Sequence, residues 1–543
     1  MMSGKEKKMR TEFQNRYKPF VDLNPESRFA TREEIRDSGT WIDISEASVG
    51  AAGIPLMIEK NHLLIDAEDH HNLILGSTRT GKTRRLILIL LHILLKAACS
   101  VVVIDVKGEL KRYTSGMARE LGYKIIDLNL RDFKSGDCWN PLYEPYRLYH
   151  SGEQDTAIEM LSDFMSGLAA PKEARNVDPF WPGQAKILGK VITQLMCECL
   201  PEHMVHPMNL ADIGSEANHE VLERISESIE YTSEAAVCFR GVFSSAEKTR
   251  ESIEVTFYDM VKIFTENKRV AQMLSRSTFD MHEIGKEKTI VYIEIADEKN
   301  TYHQIVSIFI KQLYEVLVGD AKKKKDGSLD IPVHMVMDEF CNIPRIGNMS
   351  NMITAAASRN ILLSLVVQSY HQLEGLYGAD ADTIKGNCQN WYYLFSREVS
   401  MLEEISTLCG EIVKITGGRR RLISVSELQR LKMGEVLVMH DRLYPYVGYF
   451  PDISEYGFED YAPIEEKQIK AKKVDIVNLN ILERAIDTGQ MPVPFSGDIP
   501  AVDRLKIRKR TSRKAESEDA QIIAEFQRNM DRQWEEFFGG GEG

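Results

Sequence analysis

The sequence predicts an α/β protein with a mainly parallel, doubly wound sheet and an inserted all-helical domain. Short strand-like runs alternate with helical stretches along most of the chain, which favours parallel strands joined by helices. A glycine-rich phosphate-loop motif follows the first of these runs. Between residues 146 and 284 the strand signal nearly disappears while helical periodicity continues. These features together indicate a nucleotide-binding core that a helical domain interrupts.

Seven runs rich in branched or aromatic residues are predicted to form buried strands. They are NLIL (72–75), SVVVID (100–105), TIVYIEI (289–295), VHMVMD (333–338), ILLSLVV (361–367), WYYLF (391–395) and EVLVMH (435–440). Helical stretches lie between most of them, so we expect the sheet to be mainly parallel.

The interruption sets the predicted domain boundaries. Its helical periodicity is clear in TAIEMLSDFMSGLAA, GQAKILGKVITQLMCECL and EVTFYDMVKIFTE, and the composition becomes polar beyond about residue 455. We divide the chain into an N-terminal segment (1–62), a first part of the nucleotide-binding domain (63–145), an inserted all-helical domain (146–284), a second part of the nucleotide-binding domain (285–450) and a polar C-terminal tail (451–543).

The composition indicates a large globular protein that is acidic overall. The chain has 543 residues, is 43% hydrophobic and carries a formal net charge of 68 − 81 = −13. An acidic surface repels nucleic acid unless its basic residues are grouped, which argues against a protein that coats DNA. A motor that holds DNA by local positive charge remains compatible with this composition.

We expect a cytoplasmic protein with no membrane span. The first twenty residues lack the apolar core of a secretory signal. The most apolar run, 86–95, is about half of the roughly 20 residues that a spanning helix needs, and it lies where a buried core helix is expected. Eight scattered cysteines fit a reduced protein. A basic patch at 504–514 is either a solvated tail or a contact for DNA, anionic lipid or an acidic partner.

Residues 76–83, GSTRTGKT, match the phosphate-loop pattern and lie between a predicted strand and a predicted helix. Such a loop directs its backbone amides and the helix N-terminus at phosphate oxygens. Lys82 is expected to neutralise the β- and γ-phosphates, and the Thr83 hydroxyl to bind Mg²⁺. The predicted ATP-binding residues are Gly76, Ser77, Thr78, Arg79, Thr80, Gly81, Lys82 and Thr83.

Two acidic residues at the end of the strand VHMVMD are the predicted second acidic motif. Asp338 is expected to hold the magnesium shell and Glu339 to act as the general base for the attacking water. Gln368, at the end of the next strand, is expected to contact the γ-phosphate or the lytic water. Lys82 and Asp338 are 256 residues apart in sequence, which the inserted domain explains.

An arginine finger would come from a neighbouring subunit of an oligomer. Arg359, just before the strand ILLSLVV, is our candidate for this role, and Arg397, after the strand WYYLF, is the rival. For each of them a surface salt bridge is the alternative interpretation.

Six segments together resemble the TraG/TraD-type coupling proteins of type IV secretion, the ATPases of conjugative transfer. They are VIDVKGEL (103–110), CWNPL (138–142), FWPGQAKIL (180–188), VMDEFCNIP (336–344), VVQSYHQL (366–373) and GNCQNWYYLF (386–395). Asp105, Lys107 and Glu109 fall in the family's aspartate–lysine–glycine–glutamate turn, with Val106 where proline commonly follows the aspartate. The resemblance runs from about residue 63 to residue 450.

The resemblance implies a RecA-like ATPase that uses ATP and Mg²⁺ and acts as a homo-hexameric ring at the cytoplasmic mouth of a secretion channel. It implies DNA, a relaxase and accessory transfer proteins as partners, with the inserted helical domain recognising the cargo. Family members usually begin with transmembrane helices and none is evident here, so we expect peripheral attachment to the inner face of the membrane through partner subunits. Whether the isolated chain is a monomer is left open.

Two other functions remain open. A double-stranded DNA translocase of the septal or repair kind would use the same motor without a secretion channel. An adaptor ATPase that docks effectors would hydrolyse ATP without moving DNA. The CWNPL segment, followed by the long helical insertion, favours the coupling function.

Overall fold

A nine-stranded sheet organises the protein, and its strands follow the order β14-β13-β10-β4-β9-β8-β5-β7-β6. The computed structural model describes residues 27–477, apart from 174–177, 216–217, 229–237, 239–240, 244, 297, 414–417, 457, 459–460 and 471. The predictions made for the first twenty residues and for the basic patch at 504–514 lie outside the described residues.

Fourteen strands are found in the described residues. They are β1 (Thr40–Asp43), β2 (Ile54–Glu59), β3 (His62–Asp66), β4 (His71–Gly76), β5 (Ser100–Asp105), β6 (Lys124–Asn129), β7 (Thr289–Glu294), β8 (Val333–Met337), β9 (Ile361–Val367), β10 (Cys388–Phe395), β11 (Glu411–Val413), β12 (Arg419–Arg421), β13 (Glu435–Met439) and β14 (Tyr446–Tyr449). All seven predicted strands are confirmed. In the order of the sheet, all neighbouring strands from β10 across to β6 pair in parallel. β13 runs antiparallel to both of its neighbours, β10 and β14.

Several strands were not predicted. β6 and β14 extend the two sides of the sheet, and β1, β3 and β2 form a separate antiparallel sheet. β6 has the sequence KIIDLN, in which charged and polar residues weaken the apolar signal, as is usual for the last strand of a sheet. β14 is only four residues long and contains a glycine.

Helices connect the strands and fill the long insertion. They are α1 (Arg32–Asp37), α2 (Leu88–Lys96, preceded by a π-helical turn at Thr83–Ile87), α3 (Glu109–Glu120), α4 (Tyr143–His150), α5 (Gln154–Glu173), α6 (Phe180–Cys199), α7 (Pro207–Ile213), α8 (His219–Ser228), α9 (Glu247–Val261), α10 (Lys268–Met273), α11 (His303–Lys322), α12 (Met349–Ala356), α13 (Tyr370–Tyr377), α14 (Asp380–Gly386), α15 (Val399–Leu408) and α16 (Val425–Leu428). The described residues from 143 to 283 form helices and turns and no strand.

The predicted boundaries at 62/63 and 145/146 fall inside β3 and α4. The division into domains therefore stays a prediction.

Two hydrophobic clusters cover the two faces of the main sheet. Leu73 and Leu75 of β4 join the cluster that contains the insertion helices, while Ile74 joins the opposite one. Alternate residues of a strand point to opposite faces, so one strand serves both clusters. The apolar run 86–95 is buried in the second cluster together with residues of β2 and β3. The expectation that this run forms a core helix is confirmed, and none of the helices in the described part of the chain could span a membrane.

Residues 461–470 and 472–477, called the strap below, run from α3 and the loop after β6 to the insertion helices. Its hydrogen bonds include Ile464 N to Ser115 Oγ (3.2 Å), Ile469 N to Lys134 O (2.8 Å), Asn209 Nδ2 to Asp475 O (2.9 Å) and Val477 N to Asn209 Oδ1 (3.0 Å). A Cβ atom on Gly116 would lie 2.3 Å from Ala462 O, so the strap needs a glycine at this point of α3. The first part of the predicted polar tail is thus packed against the protein body.

Candidate nucleotide-binding site

The predicted site residues lie at the carboxyl ends of adjacent strands. Gly76 ends β4, Gln368 follows β9, and Asp338 follows β8, with β9 between the other two. Since parallel strands end at the same edge, the strand order alone brings these three positions together. In open α/β sheets, ligands bind outside this edge.

The phosphate loop is curled tightly around the Lys82 side chain. Gly81 has φ +92° and Arg79 has φ +64°, a conformation that is uncommon outside glycine. A Cβ atom on Gly81 would lie 2.9 Å from Arg85 Cδ. The Thr80 hydroxyl donates to Ser77 O at 2.8 Å and fixes the turn from inside. These contacts fix the tight turn of the loop, and turns of this kind can form anion-binding concavities.

The Lys82 ammonium is buried and donates to the carbonyl oxygens of Gly76 and Ser77, the latter at 3.0 Å. Burial lowers the pKa of Lys82 to about 8, while the negative charges of Asp338 and Glu339 act in the opposite direction. A phosphate would supply the charged acceptor that the two carbonyls replace only partly.

Asp338 and Glu339 form a strained acidic pair directly after β8. Burial, followed by the charge of Glu339, raises the pKa of Asp338 to about 7, and Lys82 opposes this shift. Glu339 has φ +53°, a left-handed conformation that costs a non-glycine residue about 1–3 kcal/mol. Such strain is often found at functional sites. Two adjacent carboxylates offer the oxygen ligands that a divalent cation prefers.

Gln368 connects the phosphate loop to the acidic pair. Its Nε2 donates to Glu339 Oε1 at 3.0 Å, and its Oε1 accepts from the Thr78 hydroxyl at 3.4 Å. The second carboxylate oxygen of Glu339 accepts from Asn342 Nδ2. The side chain therefore lies where a change at the loop can be transmitted to Glu339.

Arg359 lies at the other edge of the sheet, because it precedes β9. The seven residues of β9 separate it from Gln368 by about 23 Å along the strand. Its guanidinium donates to Ala355 O at 2.5 Å. The structure thus does not bring Arg359 to its own phosphate loop. Arg397 is exposed and lies at the carboxyl edge, two residues after Phe395, whose carbonyl accepts from Ser77 N at 2.8 Å.

Two features of this edge were not predicted. Lys107 Nζ lies 3.8 Å from Glu339 Oε1, although the sequence indicated only that Lys107 belongs to a family turn. Arg84, next to Thr83, forms a two-point ion pair with Asp452, at 2.8 Å from Nε to Oδ2 and 2.5 Å from Nη2 to Oδ1. No local signal predicts the second contact, since its partners are 368 residues apart.

Asp66, His70 and His440 also bring potential metal-ligand atoms within 4.8 Å of one another, at the amino edge. These atoms already make hydrogen bonds in the protein. Asp66 Oδ2 accepts from His70 Nδ1 at 2.9 Å and from Asn390 Nδ2 at 2.5 Å, and Asn390 Oδ1 accepts from His440 Nδ1 at 2.6 Å. We interpret this cluster as a polar network that closes the amino edge.

Residues 34–421 match the family model described as type IV secretory system conjugative DNA transfer. The chain belongs to this family. The predicted resemblance to TraG/TraD-type coupling proteins is thereby confirmed.

Two curated relatives place this chain within the family. It is 24% identical over 404 residues to conjugal transfer protein TraG of Escherichia coli. The matched region covers 68% of this chain and 60% of TraG. It is also 20% identical over 316 residues to protein VirD4 of Rhizobium radiobacter. This matched region covers 58% of this chain and 44% of VirD4. The chain therefore spans about half of the length of these relatives.

Solved structures of the plasmid coupling protein TrwB share the fold. The complex of TrwB with the ATP analogue ADPNP superposes with a TM-score of 0.60 at 12% identity, over 84% of this chain and 98% of TrwB. The complex with ADP and Mg²⁺ gives a TM-score of 0.58 at 13% identity, over 83% of this chain and 98% of TrwB. The predicted fold class, an α/β RecA-like core with a mainly parallel sheet, is confirmed.

Proposed function

We propose that this chain is the ATP-driven coupling protein of a conjugative type IV secretion system, which recruits a relaxase–DNA substrate and delivers it to the channel. The observation that carries the proposal is the meeting of Lys82, Gln368 and the Asp338–Glu339 pair at one edge of the sheet, in a member of this family. TrwB, which shares the fold, binds an ATP analogue and ADP with Mg²⁺.

ATP would be bound through its phosphates by the loop 76–83. The Lys82 ammonium, which now donates to two backbone carbonyls, would turn to the β- and γ-phosphates. The amides at the start of the helix after Thr83 would bind further phosphate oxygens.

Thr83 and Asp338 would hold Mg²⁺, since hydroxyl and carboxylate oxygens are the ligands that this ion prefers. The neighbouring carboxylate of Glu339 supports this assignment, because its charge acts on Asp338. The ion supplies charge neutralisation on the phosphate oxygens in phosphoryl transfer.

Glu339 would accept the proton of the attacking water. Each of its carboxylate oxygens accepts one hydrogen bond, from Gln368 and from Asn342, and keeps a second lone pair that can accept that proton. Gln368 also contacts Thr78 of the phosphate loop, which makes it the residue that would report nucleotide binding.

Arg359 would complete the site of a neighbouring subunit in a homo-hexamer. Its place at the amino edge supports a role in trans, because it is far from its own phosphate loop. If this is right, ATP hydrolysis per chain rises with protein concentration, and Arg359→Ala abolishes that rise more strongly than Arg397→Ala. A total rate of ATP hydrolysis that is strictly proportional to protein concentration across the dissociation range would contradict the assignment. So would a larger loss of hydrolysis in Arg397→Ala than in Arg359→Ala.

The helical region 146–284 would recognise the relaxase and accessory transfer proteins. The strap supports a connection between this region and the motor, because it makes hydrogen bonds to both. We place the protein in the cytoplasm, attached at the inner face of the membrane through the channel or a membrane-anchored partner subunit.

The test is DNA transfer between cells that carry wild-type protein, Lys82→Ala or the exposed-loop control Lys325→Ala as their only copy. We expect transfer to be lost in Lys82→Ala alone. Transfer that persists in Lys82→Ala would contradict the proposal. If the purified protein hydrolyses ATP on duplex DNA but cells that lack the protein still transfer DNA, the protein is a translocase instead. If hydrolysis requires no DNA, the protein is an adaptor.

A further inference from the structure

Lys107 lies at the carboxyl edge of the main sheet, and the proposed mechanism assigns it no role. It follows β5, which pairs with β8, so its side chain projects beside the acidic pair. Its side chain is 46% exposed, and its Nζ lies 3.8 Å from Glu339 Oε1. This distance exceeds that of a good charged hydrogen bond, so the contact is one that a stronger anion can replace.

Hydrogen bonds fix the backbone at Lys107, whereas its side chain is half-exposed. The buried Asp105 carboxylate accepts from Lys107 N at 3.3 Å and from Lys111 N at 2.8 Å. Gly108 has φ +70°, which allows the chain to turn directly from β5 into α3. A fixed backbone with a long, half-exposed side chain is suited to a cation that moves between two partners.

Three groups approach Glu339 in this structure: Gln368 and Asn342 donate hydrogen bonds to it, and the Lys107 ammonium forms an ion pair with it. Each carboxylate oxygen of Glu339 thus already has a hydrogen-bond donor, and among the three groups only Lys107 carries a positive charge. The γ-phosphate of ATP carries more negative charge than one carboxylate and would attract the nearest mobile cation. Lys82 would approach the phosphates from within the loop, and Lys107 is a second cation at this edge, paired with Glu339.

We propose that Lys107 binds the γ-phosphate of ATP and in doing so leaves Glu339, so that the Lys107–Glu339 ion pair is kept with ADP and broken with ATP. The inference rests on the proposed ATP hydrolysis at this site. Lys107 would therefore contribute to recognition of the triphosphate and to turnover. ADP lacks the γ-phosphate and would leave Lys107 beside Glu339.

The test compares Lys107→Gln, Lys107→Arg and the exposed control Lys134→Gln in the full chain. Affinities for ADP and for a non-hydrolysable ATP analogue are measured with Mg²⁺, together with kcat and KM for ATP. We expect Lys107→Gln to bind the ATP analogue at least about tenfold more weakly with ADP affinity unchanged, and to lose at least about tenfold in kcat. Lys107→Arg should restore most of both losses, and Lys134→Gln should match wild type.

Equal weakening of both nucleotides in Lys107→Gln would overturn the inference, since it would indicate a structural role or contact with the phosphates common to both. Unchanged binding and turnover would overturn it as well. Lys82→Ala separates this failure from failure of the proposed function: if Lys82→Ala also leaves ATP hydrolysis intact, the site itself is wrong.

Discussion

The two edges of the main sheet are built from similar residues and differ in how those residues are paired. At the amino edge, Asp66, Asn390 and His440 form a closed network in which each polar group has a protein partner. At the carboxyl edge, Lys82 is bonded to backbone carbonyls and Asp338 lies against another acid. The amino edge therefore contributes stability, whereas the carboxyl edge has charge and strain that a ligand can relieve.

The largest expected effect would separate catalysis from binding at the carboxyl edge. Glu339→Gln keeps the shape of the side chain and removes the proposed general base, so we expect kcat for ATP to fall by about 10²- to 10⁴-fold while nucleotide affinity is retained. Glu403→Gln, an exposed change on α15, is the control. Loss of nucleotide binding in parallel with kcat would show that Glu339 acts structurally, as the amino edge does.

The next largest effect is expected from a substitution that disrupts the hydrogen-bond network at the amino edge. Asn390 is fully buried and bonds Asp66, Asn72 and His440, so Asn390→Ala leaves buried polar groups without partners. We expect the free energy of unfolding, measured by urea denaturation, to fall by about 3 kcal/mol. Asn387→Ala, which removes one exposed bond to Thr383 O, should change it by less than about 0.5 kcal/mol. Equal losses in the two variants would contradict the closed network.

The amino edge should also be sensitive to acid through His71. Its Nε2 donates to Ile353 O at 2.8 Å and its Nδ1 accepts from Leu363 N at 3.1 Å, which requires the neutral ring. Burial lowers the pKa of His71 from 6.5 to about 4. The unfolded chain thus binds the proton first, so the contribution is complete above pH 6.5 and is lost as the pH falls toward 4.

Between pH 7 and pH 5, wild type should therefore lose about 2 kcal/mol more unfolding free energy than His71→Gln. Urea denaturation at the two pH values measures this difference. The exposed His62→Gln should keep the pH dependence of wild type. A pH dependence unchanged in His71→Gln would show that this histidine is not held neutral.

The smallest effect concerns the strap, which belongs to neither edge. Gly116→Ala would push a methyl group against Ala462 O, so we expect faster amide exchange in 461–470 and a loss of roughly 1 kcal/mol in unfolding free energy. Gly375→Ala places its methyl group in open space and should cause neither change. Strap exchange that is identical in the two variants would contradict this packing.

The meeting of the phosphate-loop motif, the acidic pair and Gln368 at one edge could be predicted, because each follows a strongly apolar strand and parallel strands end at the same edge. Their roles stay predictions. The contacts of Lys107 with Glu339 and of Arg84 with Asp452 could not be predicted, because they depend on which strands are neighbours. Nothing in the local sequence indicates that β5 lies beside β8 or that the chain returns to the phosphate loop after β14. β6 was missed because its polar residues, including Asp127, serve buried ion pairs such as that with Lys111.

We propose that the carboxyl edge converts ATP hydrolysis into work on DNA. The most direct test measures ATP hydrolysis by the purified chain without DNA, with single-stranded DNA and with duplex DNA, using Lys82→Ala as the blank. We predict hydrolysis that DNA stimulates and that disappears in Lys82→Ala. Hydrolysis that is indifferent to both kinds of DNA, or that survives in Lys82→Ala, would contradict the claim.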